Sequence, residues 1–205
     1  MPTDSRFERA IAAIDRANAE DPNEIEVRGE VRSKELAHAD LASEWIEILC
    51  NPPTEALRLA ARAHHLRRWS LPRSDYPEGR KGYLVWRQAL KQRHADEASE
   101  ILRSCGYDEK TIARVAAIIV RKNLAGDPEA QALEDVACLI FFETQLDDIA
   151  ARLDPDKLRD VALKSLRLMS PEGRQRVLSL PIAQAYLAVL RELVDELAES
   201  RGRAD

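Results

Sequence analysis

Five polar residues carry the strongest chemical signal in this chain, and they comprise all four of its histidines and one aspartate. They are His38, His64, His65, His94 and Asp135, and each falls on the apolar face of a predicted helix. A polar side chain on a buried face costs free energy unless a partner satisfies it. Neutral imidazoles and a carboxylate are suitable ligands for a divalent metal such as Zn, Mn, Fe or Ni. Spacing alone leaves two interpretations open, a metal site and a set of hydrogen-bonded core residues.

A basic and aromatic segment follows the histidine pair directly. Residues 62–93 hold nine Lys or Arg against two acids, although the net charge of the chain is −5. Arginine presents a planar fork that suits phosphate, and aromatic rings can stack on a base. We therefore expect a small phosphorylated ligand to bind here, although a solvated loop remains the alternative. The residues expected to bind it are Arg67, Arg68, Trp69, Arg73, Arg80, Lys81 and Arg87.

The elements that position these residues are predicted to be helical throughout. Apolar residues recur with a period of 3.6, and only seven glycines interrupt the chain. Thr54 is expected to cap a helix that runs through ALRLAARAHHLRRW, and residues 70–82 read as a loop. The run VACLIFF has strand propensity but lies inside a longer helical pattern, so we interpret it as buried helix. We predict an all-α fold, with a helical core over 1–152 and a C-terminal helical extension over 153–205 that packs on it.

Several classes of protein are disfavoured by composition. No apolar run approaches the roughly 18 residues that a membrane span needs, and the charged N-terminus lacks a signal-peptide core. The three cysteines are widely spaced and form no CxxC, which argues against a disulfide framework or a zinc ribbon. We expect a cytoplasmic protein without a membrane partner, and the sequence leaves the oligomeric state open.

The order of these residues resembles that of HD-domain phosphohydrolases, a superfamily of helical proteins. Their metal ligands are an early His, an adjacent His-Asp pair and a late Asp. AARAHHLRRW stands where the pair would stand, LEDVACLIFFE resembles the late-Asp helix, and HADEASEILRSCGYDEKTIARVAAIIVRKN resembles the segment between them. The resemblance spans roughly residues 33–145. It implies an HD-like helical bundle with His38, His64, His65 and Asp135 as metal ligands.

One position departs from the HD pattern, because His65 stands where that superfamily has Asp. The change removes one negative charge and one bridging ligand, which weakens the case for two metals and leaves metal-free relatives an option. The chain is more closely similar to an uncharacterised family, domain of unknown function 4202. The stretches that resemble it are HHLRRW, PRSDYPEGRKGYLVWR and EDVACLIF. That resemblance implies no activity.

Two functions follow as expectations. The first is a metal-dependent phosphohydrolase of a nucleotide or other small phosphorylated metabolite, with His94 and Glu134 in proton transfer. The second is a non-catalytic helical module that binds RNA or another anionic partner through the same basic surface. A weaker third interpretation is an oxidative enzyme with iron at the histidines, because His-rich ligation suits iron.

Overall fold

The computed structural model describes residues 5–202, so the outermost residues of the two predicted segments, 1–4 and 203–205, lie outside the description. The described part of the chain is helical apart from one short hairpin, and the predicted all-α class is confirmed. The helices are α1 (Arg6–Ala19), α2 (Lys34–Leu49), α3 (Glu55–Ala63), α4 (Gly79–Ser104), α5 (Glu109–Val120), α6 (Pro128–Ala150), α7 (Pro155–Leu168), α8 (Pro171–Val177) and α9 (Gln184–Gly202). VACLIFF lies within α6, as expected.

The hairpin is the one element that the helical pattern did not predict. Strands β1 (Glu24–Val27) and β2 (Glu30–Ser33) pair antiparallel, with Glu24 opposite Ser33. Arg28 and Gly29 both have positive φ at the turn, which is the backbone that two-residue hairpins favour. The hairpin leads directly into α2, so it fixes where that helix begins.

The chain divides into two compact units, residues 1–133 and 134–205. The division falls within α6, whereas the boundary predicted at 152/153 follows the end of that helix. In the first unit, α3 packs against α2 and α5, and α1 packs against α2, α3 and α4. Its buried apolar side chains include Ile14, Ile46, Leu59, Leu66 and Ile118. Burial of such side chains, at about 1.5–3 kcal/mol each, holds these helices together.

The second unit is built around the rest of α6 and the last three helices. Helix α9 packs against α7 and α8. Asp154 and Ser170 cap α7 and α8, and a proline follows each cap at the first helical position. None of the described helices contains a stretch long and apolar enough to cross a membrane.

Candidate metal centre

Three side chains of the first unit bring their ligand atoms together. Glu35 Oε2 lies 3.1 Å from Nδ1 of His38 and 3.2 Å from Nδ1 of His65. One ligand atom from each residue lies within 4.8 Å of the other two. The side chains of Glu35 and His38 are almost fully buried, whereas that of His65 is 26% exposed. We call Glu35, His38 and His65 the triad; His65 is its one partly exposed member.

Two different elements supply the triad. Glu35 and His38 stand three residues apart in the first turns of α2, so they share one face of that helix. His65 comes from the chain that follows α3. This helix ends at Ala63, not at Trp69 as predicted, and residues 64–67 form a turn. Arg67 adopts a left-handed conformation, with φ 48°, which stops the helix and redirects the chain.

The other two histidines flank the triad. The ring centroid of His65 lies 4.1 Å from that of His64, 5.8 Å from that of His38 and 6.0 Å from that of His94. All four histidines of the chain therefore belong to one cluster, with His65 at its centre. His38, His64 and His94 are at most 2% exposed, which confirms the burial predicted for them.

Backbone carbonyls fix which nitrogen carries the proton in His64 and His94. Nδ1 of His64 lies 2.8 Å from the carbonyl oxygen of Ala61, and Nδ1 of His94 lies 2.7 Å from that of Leu66. A carbonyl only accepts, so each Nδ1–H donates and each neutral ring keeps its Nε2 lone pair. Nε2 of His64 is buried and has no hydrogen-bond partner among the described residues. Histidines that bind metals commonly show this arrangement.

The cluster combines neutral imidazoles with an ionised carboxylate. Burial lowers the pKa of His65 to about 4, although the Glu35 carboxylate opposes this shift. Burial and the neighbouring His65 lower the pKa of His94 to about 3 and that of His64 well below its usual value. Burial alone would raise the pKa of Glu35. The hydrogen bonds from His38 and His65 outweigh it, and the Glu35 pKa falls well below its ordinary range. Both ionisation states are the ones that metal ligands require.

Two of the three ligand separations in the triad suit a single divalent metal, which would take the place of the hydrogen bonds to Glu35. Bonds of about 2.0–2.1 Å to nitrogen and oxygen in a tetrahedral site place neighbouring ligand atoms about 3.3 Å apart. The separations of 3.1 and 3.2 Å between Glu35 and the two histidines match that spacing. Two histidines and one glutamate form a ligand set of catalytic zinc sites, in which the fourth position stays open to water or substrate.

The arginines of the basic segment have different surroundings. Arg68 lies over the ring of Trp86, 5.0 Å from its centroid, and its charge contributes to the lowered pKa of His65 and His94. Arg67 pairs with Glu20 and Glu97. Of these arginines, Arg68 is the one whose charge acts on two histidines of the cluster.

Arg73 ties together the loop between α3 and α4. Its guanidinium donates to the carbonyl oxygens of Tyr76 and Pro77, each at 2.8 Å. The same loop crosses α4 closely at Gly82, where a Cβ would lie 1.8 Å from the Pro77 oxygen. This part of the predicted ligand-binding segment is thus an ordered loop that Arg73 holds and that packs closely on α4.

The remaining predicted ligand-binding residues lie towards solvent. Trp69 and Arg87 are half-buried, and the Arg87 guanidinium lies over the Tyr83 ring. Arg80 and Lys81 are exposed in the first turn of α4. They are placed where they can meet an anion at the surface.

Asp135 and Glu134 belong to the second compact unit. Both are 3% exposed. Ser170 holds Asp135 through two hydrogen bonds, from its backbone N–H to Oδ1 at 2.8 Å and from its hydroxyl to Oδ2 at 2.5 Å. Gly173 leaves room for this carboxylate, because a Cβ there would lie 2.6 Å from Asp135 Cγ. Asp135 is therefore a buried carboxylate that Ser170 satisfies within the second unit.

Sequence reasoning missed Glu35 as a triad member. The signal was present, because Glu-x-x-His spacing puts both side chains on one helix face. An acid in the first turn of a helix is commonly explained by the helix dipole alone, so Glu35 did not stand out as a candidate ligand.

Comparison with known proteins identifies a family and no activity. The sequence model described as "Domain of unknown function (DUF4202)" matches residues 8–190. No curated protein and no solved structure matches the chain.

Proposed function

The chain belongs to the DUF4202 family, and we propose that this member is a metal-dependent hydrolase of a small phosphorylated substrate. Glu35, His38 and His65 would hold the metal. The observation that carries the proposal is the meeting of one buried carboxylate and two imidazoles, with ligand atoms within 4.8 Å of one another. A nucleotide or another phosphorylated metabolite is the substrate class that suits the adjacent basic segment.

Three features favour a metal over a purely structural hydrogen-bond network. The side chain of His65 is partly exposed, so one member of the triad contacts solvent. A buried nitrogen of His64 has no partner among the described residues, which costs about 1–3 kcal/mol unless a ligand satisfies it. The Glu35 carboxylate is almost fully buried and its pKa lies well below its ordinary value, so it carries a negative charge that favours a cation.

Arg68 is the residue best placed to bind the phosphoryl group. Its guanidinium is positioned by Trp86 and acts electrostatically on His65 and His94. A divalent metal supplies Lewis acidity and lowers the pKa of water. Arg68 would neutralise charge that develops on the phosphoryl oxygens.

Glu134 remains the proposed proton-transfer residue, and His94, expected to share that task, is proposed to orient the attacking water. The Nε2 lone pair of His94 can accept a hydrogen bond from water, because its Nδ1–H is held by Leu66. With a pKa of about 3, His94 is a weak base and suits orientation of that water. Glu134→Gln removes the proton acceptor and should lower kcat, and His94→Ala removes the residue that orients the water and should lower kcat as well. Neither variant should change metal affinity, because neither residue belongs to the triad.

The HD-like relationship also enters as a proposal. It is supported by the place of His38 and the His64–His65 pair in one cluster, whereas the imidazole of His65, where HD proteins have Asp, departs from the pattern. The fourth HD-type ligand, the late Asp135, is held by Ser170 in its own unit. Its role as a fourth ligand stays a prediction, which metal affinity of Asp135→Asn would test.

The decisive experiment measures metal content and phosphatase activity of tag-free protein. We expect one equivalent of Zn, Mn, Fe or Ni, and metal-dependent turnover of p-nitrophenyl phosphate, a phosphodiester analogue or nucleoside phosphates. Glu35→Gln keeps the shape of the side chain but removes its charge, so metal affinity should fall by more than about 100-fold and turnover should stop. Glu100→Gln, an exposed position on α4, is the matched control. Wild-type protein that binds no divalent metal would refute the proposal.

A second candidate is an iron-dependent oxidative enzyme. Two histidines and one carboxylate with open positions also form the facial triad of non-haem iron oxygenases. Protein loaded anaerobically with Fe(II) should then consume O₂ when a substrate is added, and should leave phosphate esters intact. The proximity of Arg68 to the histidines favours the hydrolase, because an anionic substrate is not a general requirement of oxygenases.

A further inference from the structure

The segment that joins α1 to the hairpin contacts both elements that supply the triad. We call this segment, residues 18–23, the bracket. Its residues Asn18 and Asp21 are 0% and 6% exposed, although both are polar. They lie outside the stretch that carries the HD-like resemblance.

One contact of the bracket fixes the start of α2. The residue that precedes this helix, Ser33, makes no side-chain capping hydrogen bond. Asp21 provides the cap from fourteen positions upstream, because its Oδ2 accepts the backbone N–H of Glu35 at 3.1 Å. The backbone N–H of Lys34 donates to the carbonyl oxygen of Asn23 at 2.9 Å. The first two N–H groups of α2 are therefore satisfied by the bracket.

A second contact fixes the turn that carries His65. Asn18 Oδ1 accepts the backbone N–H of Arg67 at 3.2 Å, at the residue whose left-handed conformation ends the turn. The bracket is itself tied internally, since the N–H of Asp21 donates to the carbonyl oxygen of Asn18 at 3.2 Å. Oδ1 of Asp21 accepts both the backbone and side-chain N–H groups of Asn23. One short segment thus sets the spacing between Glu35 and His65.

We propose that Asp21 is the positioning residue of the metal centre, which holds the backbone of Glu35 so that its carboxylate faces His38 and His65. This inference rests on the proposed metal site. Asp21 does not touch the triad side chains in any described hydrogen bond, and its effect passes through the first turn of α2. Asn18 performs the corresponding task for the turn that carries His65.

The test is Co(II) binding to full-length protein, followed by the visible absorption of the bound ion, which reports ligand number and geometry. Asp21→Ala should weaken Co(II) binding by about 10-fold, the lower end of the range for residues that orient metal ligands, and should alter the spectrum. Asp21→Asn keeps one oxygen that can accept the Glu35 N–H, but its NH₂ group then faces the N–H groups of Asn23. It should therefore bind Co(II) more tightly than Asp21→Ala, with a spectrum closer to that of the wild type. Asp21→Asn also provides the comparison if the alanine variant does not fold.

The matched control is Asp108→Ala, which removes the side-chain cap of α5, a helix without a triad residue. It should lower thermal stability as Asp21→Ala does and leave Co(II) affinity unchanged. Wild-type affinity and spectrum in Asp21→Ala would overturn the positioning role while the metal site stands. Failure of the wild-type protein to bind Co(II) would overturn both. Co(II) binding without any hydrolysis would overturn the hydrolase alone.

Discussion

Arg68 differs from its neighbours in what surrounds its guanidinium. Arg67 and Arg73 are occupied, one by two glutamates and the other by loop carbonyls. Arg68 instead rests on the face of Trp86, a contact that orients the group without using its hydrogen-bond donors. The five N–H donors of a guanidinium thus remain suited to a planar or tetrahedral anion.

Arg68→Ala is therefore expected to weaken binding of a phosphorylated ligand. Loss of a charged hydrogen bond costs about 1.5–3 kcal/mol, which is about 10- to 150-fold in Kd or KM. Metal affinity should stay at the wild-type value, because Arg68 is not a ligand. Inorganic phosphate binding by calorimetry measures the effect, and Arg80→Ala, at an exposed position of the same segment, should cause a smaller loss. Equal losses in the two variants would show that only the general charge of the segment matters.

The residues of the centre differ in how far sequence could predict them. His38, His64 and His94 followed from helical periodicity, since inward positions on an amphipathic helix are regular. Glu35 did not follow, because a first-turn acid has an ordinary explanation in the helix dipole. Asp21 could not be found at all, since its contact with Glu35 depends on a turn between elements and not on a repeat.

At the level of elements, the predicted and observed structures differ at the end of α3 and at the hairpin. The pattern ALRLAARAHHLRRW continues past Ala63, and nothing in its periodicity marks the end of α3. The left-handed Arg67 and its hydrogen bond to Asn18 supply that end through tertiary contact. The hairpin was missed because a four-residue strand gives too short an alternation to outweigh the helical pattern around it.

The link between α5 and the start of α6 gives a pH-dependent prediction. Arg114 of α5 pairs with Asp127 and Glu129 at the start of α6. The hydrogen bond from Arg114 lowers the pKa of Asp127 to about 2, and backbone N–H groups add to this shift, whereas burial opposes it. A carboxyl whose pKa is lower in the folded protein stabilises it above the unfolded pKa, near 4. That contribution, about 1–2 kcal/mol after solvent screening, should disappear as pH falls from 4 to 2.

Urea unfolding of the wild type and of Asp127→Asn from pH 7 to pH 2 measures this contribution. The variant should be less stable at pH 7 and should lose less stability on acidification. Asp147→Asn, which removes an exposed carboxylate elsewhere, should keep the acid sensitivity of the wild type. Parallel curves for the wild type and Asp127→Asn would contradict the assignment.

At the level of the whole molecule, charge is distributed unevenly. Residues 62–93 hold nine basic residues in a chain of net charge −5. Several of the nine are engaged within the protein: Arg62 with Asp15 and Asp40, Arg67 with Glu20 and Glu97, Arg73 with loop carbonyls, and Arg93 with Glu97. The charge that faces solvent is thus smaller than the composition suggests, and it favours a small anion over a polymer.

This distribution predicts weak binding of RNA. Non-specific affinity of about 10⁻⁴–10⁻⁶ M is expected where a few cations contact phosphates, and it should fall steeply with salt. Fluorescence anisotropy with a single-stranded RNA at 150 mM salt should give a Kd weaker than about 10 µM. A nanomolar Kd, lost together in Arg68→Ala and Arg80→Ala, would replace the hydrolase with the RNA-binding function.

All four histidines lie in one cluster, so their NMR signals form a natural spectroscopic probe of that site. In tag-free protein, every imidazole ring signal in an NMR spectrum arises within one small volume of the molecule. Chemical-shift changes in those few resonances would report the arrival of an ion or substrate without isotope-selective labelling of other positions. Histidines scattered over the molecule would instead report on unrelated environments in the same spectrum.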